Sequence, residues 1–265
     1  MSNRRFLIAG NWKMNGSQAM TAELIAGVAE RLNSSPHAGD VIDVLVCPPS
    51  AYLAAAELAS TGTAIAIGSQ NVSPFDSGAY TGETSLAMLA EFGCAYVLLG
   101  HSERRELFAE TNSDIAQKFA ACIASESNII PVLCIGETLE QRQTGATETV
   151  IAAQLEAVIS LSGIAGFDKA VIAYEPVWAI GTGETASPEQ AQQVHQFIRN
   201  KLAALDAVIA NKVRILYGGS MKPSNAQELL AQADIDGGLI GGAALQIDSF
   251  AGICDAALDL ARQTS

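Results

Sequence analysis

The chain repeats one unit eight times, a short apolar run followed by a longer amphipathic stretch. The runs are RRFLIAG from 4, VIDVLVC from 41, AIAIGS from 64, AYVLLG from 95, NIIPVLCIG from 128, KAVIAYE from 169, KVRILYGG from 212 and DGGLIGG from 236. Each is dense in β-branched residues or leucine, the pattern of a strand buried on both faces. Between them lie segments such as MTAELIAGVAERL and DIAQKFAACIA, with the periodicity of amphipathic helices. Strands that alternate with helices form a parallel sheet, either an open doubly wound sheet or a closed barrel. Eight units without a composition break or linker favour an α/β fold of the (β/α)8 barrel type, eight parallel strands inside a ring of helices. The 265 residues suit one such domain spanning 1–265.

The working residues of such a barrel sit where its strands end. Here those positions hold Asn11 and Lys13 after the first run, His101 after the fourth, Glu175 after the sixth, Gly218, Gly219 and Ser220 after the seventh, and Gly241 and Gly242 after the eighth. Each alone has an ordinary reading: a solvated lysine, a satisfied histidine, a glycine turn. Gathered on one rim they suggest a site. Glycines before a helix let backbone N–H groups approach a ligand, so the last two loops read as a phosphate cradle. That matters because 15 basic and 28 acidic residues give a net charge of −13, which argues against a nucleic-acid or anionic-lipid surface. An anionic substrate must be caught by local donors, with Lys13 as a compact cation beside them.

Glu175 and His101 face each other across the expected mouth, a base on one side and a hydrogen-bond donor on the other. That pairing suits proton transfer next to a carbonyl. A helix beginning at His101 is expected to lower its pKa and keep it neutral. After Glu175, Pro176-Val177-Trp178 reads as one hinge, Ala179-Ile180-Gly181 as a tip and Thr182-Gly183-Glu184 as a second hinge of a lid. The capping box SPEQ from 187, with Pro188 first in the helix, anchors its far end.

Cys47, Cys94, Cys122, Cys134 and Cys254 are an odd number without CxxC spacing, which points to reduced core residues. His37, His101 and His195 are scattered and no HExxH is present, so neither metal nor cofactor is expected. No apolar run reaches the ~18 residues of a membrane span. Asn11, Trp12 and Lys13 interrupt the first run too early for a cleaved leader, so a cytoplasmic location is expected.

Six motifs stand at strand ends in order: NWKMN at 11–15, GHSERR at 100–105, PVLCIGE at 131–137, AYEPVWAIGTG at 173–183, YGGS at 217–220 and the glycine pair 241–242. Through them the chain resembles the triosephosphate isomerase family along its whole length. The resemblance implies a TIM barrel that interconverts dihydroxyacetone phosphate and D-glyceraldehyde 3-phosphate in glycolysis and gluconeogenesis through an enediol(ate), as a homodimer without metal or cofactor. It assigns the base to Glu175, the electrophile to His101 and the electrostatic lysine to Lys13, the pairing of a glutamate base with a neutral histidine for which this family is the standard example. Asn11 lies beside the substrate; Gly181, Ser220, Gly241 and Gly242 supply phosphate contacts, and Glu103 supports the lysine. The polar loop from Gln70 to Glu83, with Thr81 near its tip, resembles the arm that reaches the partner subunit. The chain departs from the family at Glu184 and Gln246, where lysine is common, and at Ala244, where serine is common. Another phosphate-binding barrel, an aldolase or a synthase of tryptophan or histidine biosynthesis, explains the glycines but not the lid. A catalytically silent barrel should have lost Lys13, His101 or Glu175, and all three are present.

Overall fold

A computed structural model describes residues 4–35, 38–180 and 185–264. Eight parallel strands close in sequence order: β1 (Phe6–Asn11), β2 (Ile42–Cys47), β3 (Ile65–Ser69), β4 (Cys94–Leu99), β5 (Ile130–Ile135), β6 (Val171–Tyr174), β7 (Arg214–Tyr217) and β8 (Gly237–Ile240). Every expected run overlaps one of them, with β1 reaching one residue past its run and β4 starting one residue before. Closure between first and last strand pairs Leu7 with Gly237 through Gly10 with Ile240. That seam needs a glycine: Gly237 has φ +144°, and a Cβ there would lie 2.0 Å from the Leu7 carbonyl oxygen.

The strands are apolar on both faces because each face has a core. Leu7, Ala9, Leu45, Leu98, Val132 and Leu216 belong to the cluster that fills the barrel. Their neighbours Ile8, Val44, Val46, Val97, Leu133 and Ile215 belong to the larger cluster under the helices. Continuous runs rather than alternation follow directly from this double burial.

The ring of helices comprises α1 (Gln18–Asn33), α2 (Ala38–Val41), α3 (Leu53–Ser60), α4 (Leu86–Glu91), α5 (Ser102–Leu107), α6 (Asn112–Ala124), α7 (Leu139–Gln143), α8 (Thr147–Ser162), α9 (Pro188–Ala203), α10 (Ala207–Lys212), α11 (Pro223–Leu230) and α12 (Ile247–Thr264). In α9, Ser187 caps the Gln190 amide, Gln190 returns the bond to the Ser187 amide and Pro188 sits in the first turn, as SPEQ suggests. Its buried Ala191, Val194, Ile198 and Leu202 form the stripe that seats it on the barrel. All five cysteines are buried and unbridged. No described helix is long and apolar enough to cross a membrane.

Candidate active site

Lys13 follows β1 in a left-handed backbone conformation, φ +52°, which a side chain rarely adopts without support. The support is local and distant together. Asn11 Oδ1 accepts the Lys13 N–H at 3.0 Å, while Gln70 Nε2 donates to the carbonyls of Lys13 (2.8 Å) and Cys47 (2.9 Å). The lysine Nζ then meets Glu103 Oε1 at 2.6 Å. In the sequence Gln70 stands out only as the first residue of a polar loop. Its bracing role depends on strand ends far apart in the chain.

His101 caps α5: its Nδ1 accepts the Glu103 amide at 3.2 Å, and its Nε2 lies 2.9 Å from Glu175 Oε1. Burial pushes the imidazole pKa down, but the charge of Glu175 and its hydrogen bond push harder, and the net direction is upward. This overturns the expectation of a lowered pKa, because the sequence did not place a buried carboxylate against the ring. The amide contact limits the reversal: an Nδ1 that accepts an N–H carries no proton of its own, which assigns the neutral ring as the Nε2–H tautomer. A second proton on Nδ1 would set two N–H groups against each other. The upward pull therefore belongs to the pose in which Glu175 rests on the ring.

Glu175 is 2% exposed and begins the loop after β6, its own N–H donating to the Ile135 carbonyl at 2.7 Å. Its carboxylate also accepts the Ser102 N–H at 2.9 Å. It is thus parked on the start of α5 at the edge of the mouth. Gly136 and Gly218 leave it room: a Cβ on Gly136 would lie 1.8 Å from the Glu175 carbonyl oxygen, and one on Gly218 would lie 2.9 Å from Glu175 Cγ.

Asn11, Lys13, His101, Glu175, Ser220, Gly241 and Gly242 all line one cavity of about 330 Å³. Nothing would stand within 4 Å of a Cβ on Gly242, so its backbone faces open space. Glu103 lies outside that lining and borders the adjoining groove with Lys13 and Gln70. Thr81 is exposed on the loop between β3 and α4. Ala244 is buried in a 3₁₀ turn that starts at Gly242, and Gln246 ends that turn. Gly181, Glu184 and His37 lie outside the described residues.

A residue that the sequence shows only inside a motif, Glu137, organises the near hinge. Its Oε1 accepts from Trp178 Nε1 at 3.0 Å, Tyr174 OH at 3.1 Å and Arg142 Nη1 at 3.3 Å. The Arg142 guanidinium also covers the Trp178 ring at 4.7 Å, and the Val177 N–H donates to the Glu137 carbonyl. The available signal was an acid placed after a strand end, just as Glu175 is. Among the described residues no group of three or more His, Cys, Asp or Glu is arranged to hold a metal ion.

A profile of the triosephosphate isomerase family matches residues 6–257. The chain is 55% identical over 255 residues to the triosephosphate isomerase of Alcanivorax borkumensis, covering 96% of this chain and 99% of the relative. It is 54% identical over 254 residues to that of Thiobacillus denitrificans, covering 96% and 99%. With the enzyme of Halorhodospira halophila it shares 56% over 257 residues, covering 97% and 99%.

Proposed function

The chain belongs to the triosephosphate isomerase family and interconverts dihydroxyacetone phosphate and glyceraldehyde 3-phosphate, and from that premise we propose the roles of its residues. Glu175 takes a proton from the carbon beside the substrate carbonyl. The electrons of that C–H bond form the enediolate double bond as the carbonyl π electrons move onto its oxygen; the hydroxyl proton then passes from one oxygen to the other by way of His101 Nε2, and the carboxylate returns its proton to the neighbouring carbon as the new carbonyl forms. His101, with its proton on Nε2, donates to the substrate oxygens, and Lys13 offsets the negative charge that develops on them. Asn11 supports the Lys13 backbone. Backbone groups of Gly181, Ser220, Gly241 and Gly242 hold the phosphate, and Glu103 fixes the lysine head. The reaction draws on no metal or cofactor.

The observation that carries this reading is the meeting of Glu175, His101 and Lys13 at one cavity that Gly218, Gly219, Gly241 and Gly242 also line. Glu175 must leave its bonds to Ser102 and His101 to reach a substrate, which suits a base repositioned by the lid that follows it. The chain is further proposed to act as a single catalytic domain over 1–265, as a cytoplasmic homodimer with the Thr81 loop at the interface, and without nucleic-acid or membrane partners. In a coupled assay with glyceraldehyde 3-phosphate, Glu175→Asp should lower kcat by about two orders of magnitude or more with KM little changed, because shortening the base by one methylene loses attack geometry. A variant within a few-fold of the wild type would remove Glu175 as the base.

A further inference from the structure

Most buried or half-buried cations among the described residues meet carboxylates: Arg4 and Arg199 bind Asp236, Lys118 binds Glu110 and Arg214 binds Asp43. Arg105 is different. Its Nε donates to the Gly100 carbonyl at 2.7 Å, its Nη2 to the Cys134 carbonyl at 2.9 Å and its Nη1 to Asn112 Oδ1 at 2.6 Å. No carboxylate among the described residues lies within ion-pair distance of it. Half-burying a guanidinium against neutral acceptors is unfavourable on its own, and burial does push its pKa down. The position therefore calls for a reason beyond pairing.

The three acceptors supply one. Gly100 turns the chain out of β4 with φ +71° and immediately precedes His101. Cys134 lies in β5 one residue before Ile135, whose carbonyl holds the Glu175 amide. Asn112 opens α6. One planar fork thus ties together the backbone segments that aim the histidine and the glutamate. The charged and titratable groups facing it are Glu175 from the end of β6, Cys134 from β5 and Glu110 from the turn before α6.

We infer that Arg105 is a positioning residue for the isomerisation, its fork fixing the frames of His101 and Glu175. This rests on Glu175 being the base and His101 the electrophile. Lysine keeps the charge and loses the fork, glutamine loses the charge, and Asn112→Ala loosens one arm of the fork without altering any charge.

kcat and KM are to be measured with glyceraldehyde 3-phosphate. Arg105→Gln should lower kcat about tenfold or more with KM little changed, and Arg105→Lys and Asn112→Ala should lower kcat about threefold to tenfold, also with KM little changed, an alignment loss. A purely structural role predicts lower thermal stability with wild-type kcat in the folded variants, which would overturn the inference. If Arg105→Gln does not fold, wild-type kcat in both Asn112→Ala and Arg105→Lys overturns it equally. Failure of the underlying reading is distinguishable, since then Glu175→Asp itself keeps wild-type turnover.

Discussion

Lowering the pH from 7.5 to 5 should weaken the fold through His195. This residue lies in α9 with its ring against Tyr174 (centroids 5.7 Å apart, 86° between planes) and Tyr217 (6.5 Å). Nδ1 reaches the Asp234 carbonyl at 3.1 Å, so Nδ1 bears the proton, and Nε2 is buried without a partner among the described residues. A second proton would create an unsolvated cation near Arg199. Burial accordingly pushes the pKa down from 6.5 to about 4, with Arg199 adding to the fall and the Asp234 contacts opposing it. A base whose folded pKa lies below its unfolded value binds protons more readily when unfolded. Its contribution is complete above pH 6.5 and declines until the pH passes the folded value. Proton linkage makes the loss about 2 kcal/mol per chain by pH 5 and about 3 kcal/mol by pH 4. Urea unfolding at one fixed protein concentration measures this, with His195→Asn as the comparison, because asparagine can donate to the Asp234 carbonyl but cannot titrate. The variant should be less stable at pH 7.5 yet lose about 2 kcal/mol less than the wild type on going to pH 5. Equal losses in the two proteins would refute the reasoning.

Gly136→Ala should destabilise the fold by more than about 3 kcal/mol and abolish activity, because the added carbon would meet the Glu175 carbonyl, a backbone atom that cannot step aside. Thermal unfolding and the coupled assay check both parts, and a variant of near wild-type stability would refute the claim. Light scattering at micromolar concentration should find a dimer, since the loop from Gln70 to Glu83 is long for a barrel connection and borders a groove shared with Lys13 and His101. A fully active monomer would reject it.

The fold was legible because the barrel needs little more than a repeat, a double-sided apolar strand and a connection of adequate length. The expected runs overshoot β7 and β8 at their C-terminal ends, where glycines continue past the last strand residue. Chemistry-bearing residues at strand ends were legible for the same reason, since position along the unit predicts position on the rim. What stayed hidden are partners across units. Gln70 bracing Lys13, Glu137 taking three donors and Arg105 spanning two strand ends involve residues of ordinary type whose roles depend on which atoms the closed barrel brings together. The sign of the His101 shift was missed for that reason too: a helix start is visible in sequence, but the resting place of Glu175 is not.

That resting place gives a last test, Gly218→Ala. A Cβ on residue 218 would lie 2.9 Å from Glu175 Cγ and 3.0 Å from the Tyr174 carbonyl oxygen. The carbonyl is fixed, since it accepts the Gly218 N–H at 2.7 Å at the end of β6. The glutamate side chain can rotate, so it yields. Gly218 has no left-handed φ, so alanine strains the backbone little, and the expected loss is that of modest overpacking, about 1–3 kcal/mol. Displaced from Ser102 and His101, Glu175 no longer draws the imidazole pKa upward, and the burial that opposes it prevails. His101 should then titrate at lower pH in the variant than in the wild type, which nitrogen NMR of the ring reads directly. Turnover should fall about tenfold, because the methyl occupies the space into which Glu175 Cγ packs and displaces the proposed base. Lower turnover with an unchanged His101 titration would place the methyl's effect on the substrate side of the cavity. Unchanged values of both would show that Glu175 is not packed against Gly218 in the working enzyme, and the account of its parked pose would fail.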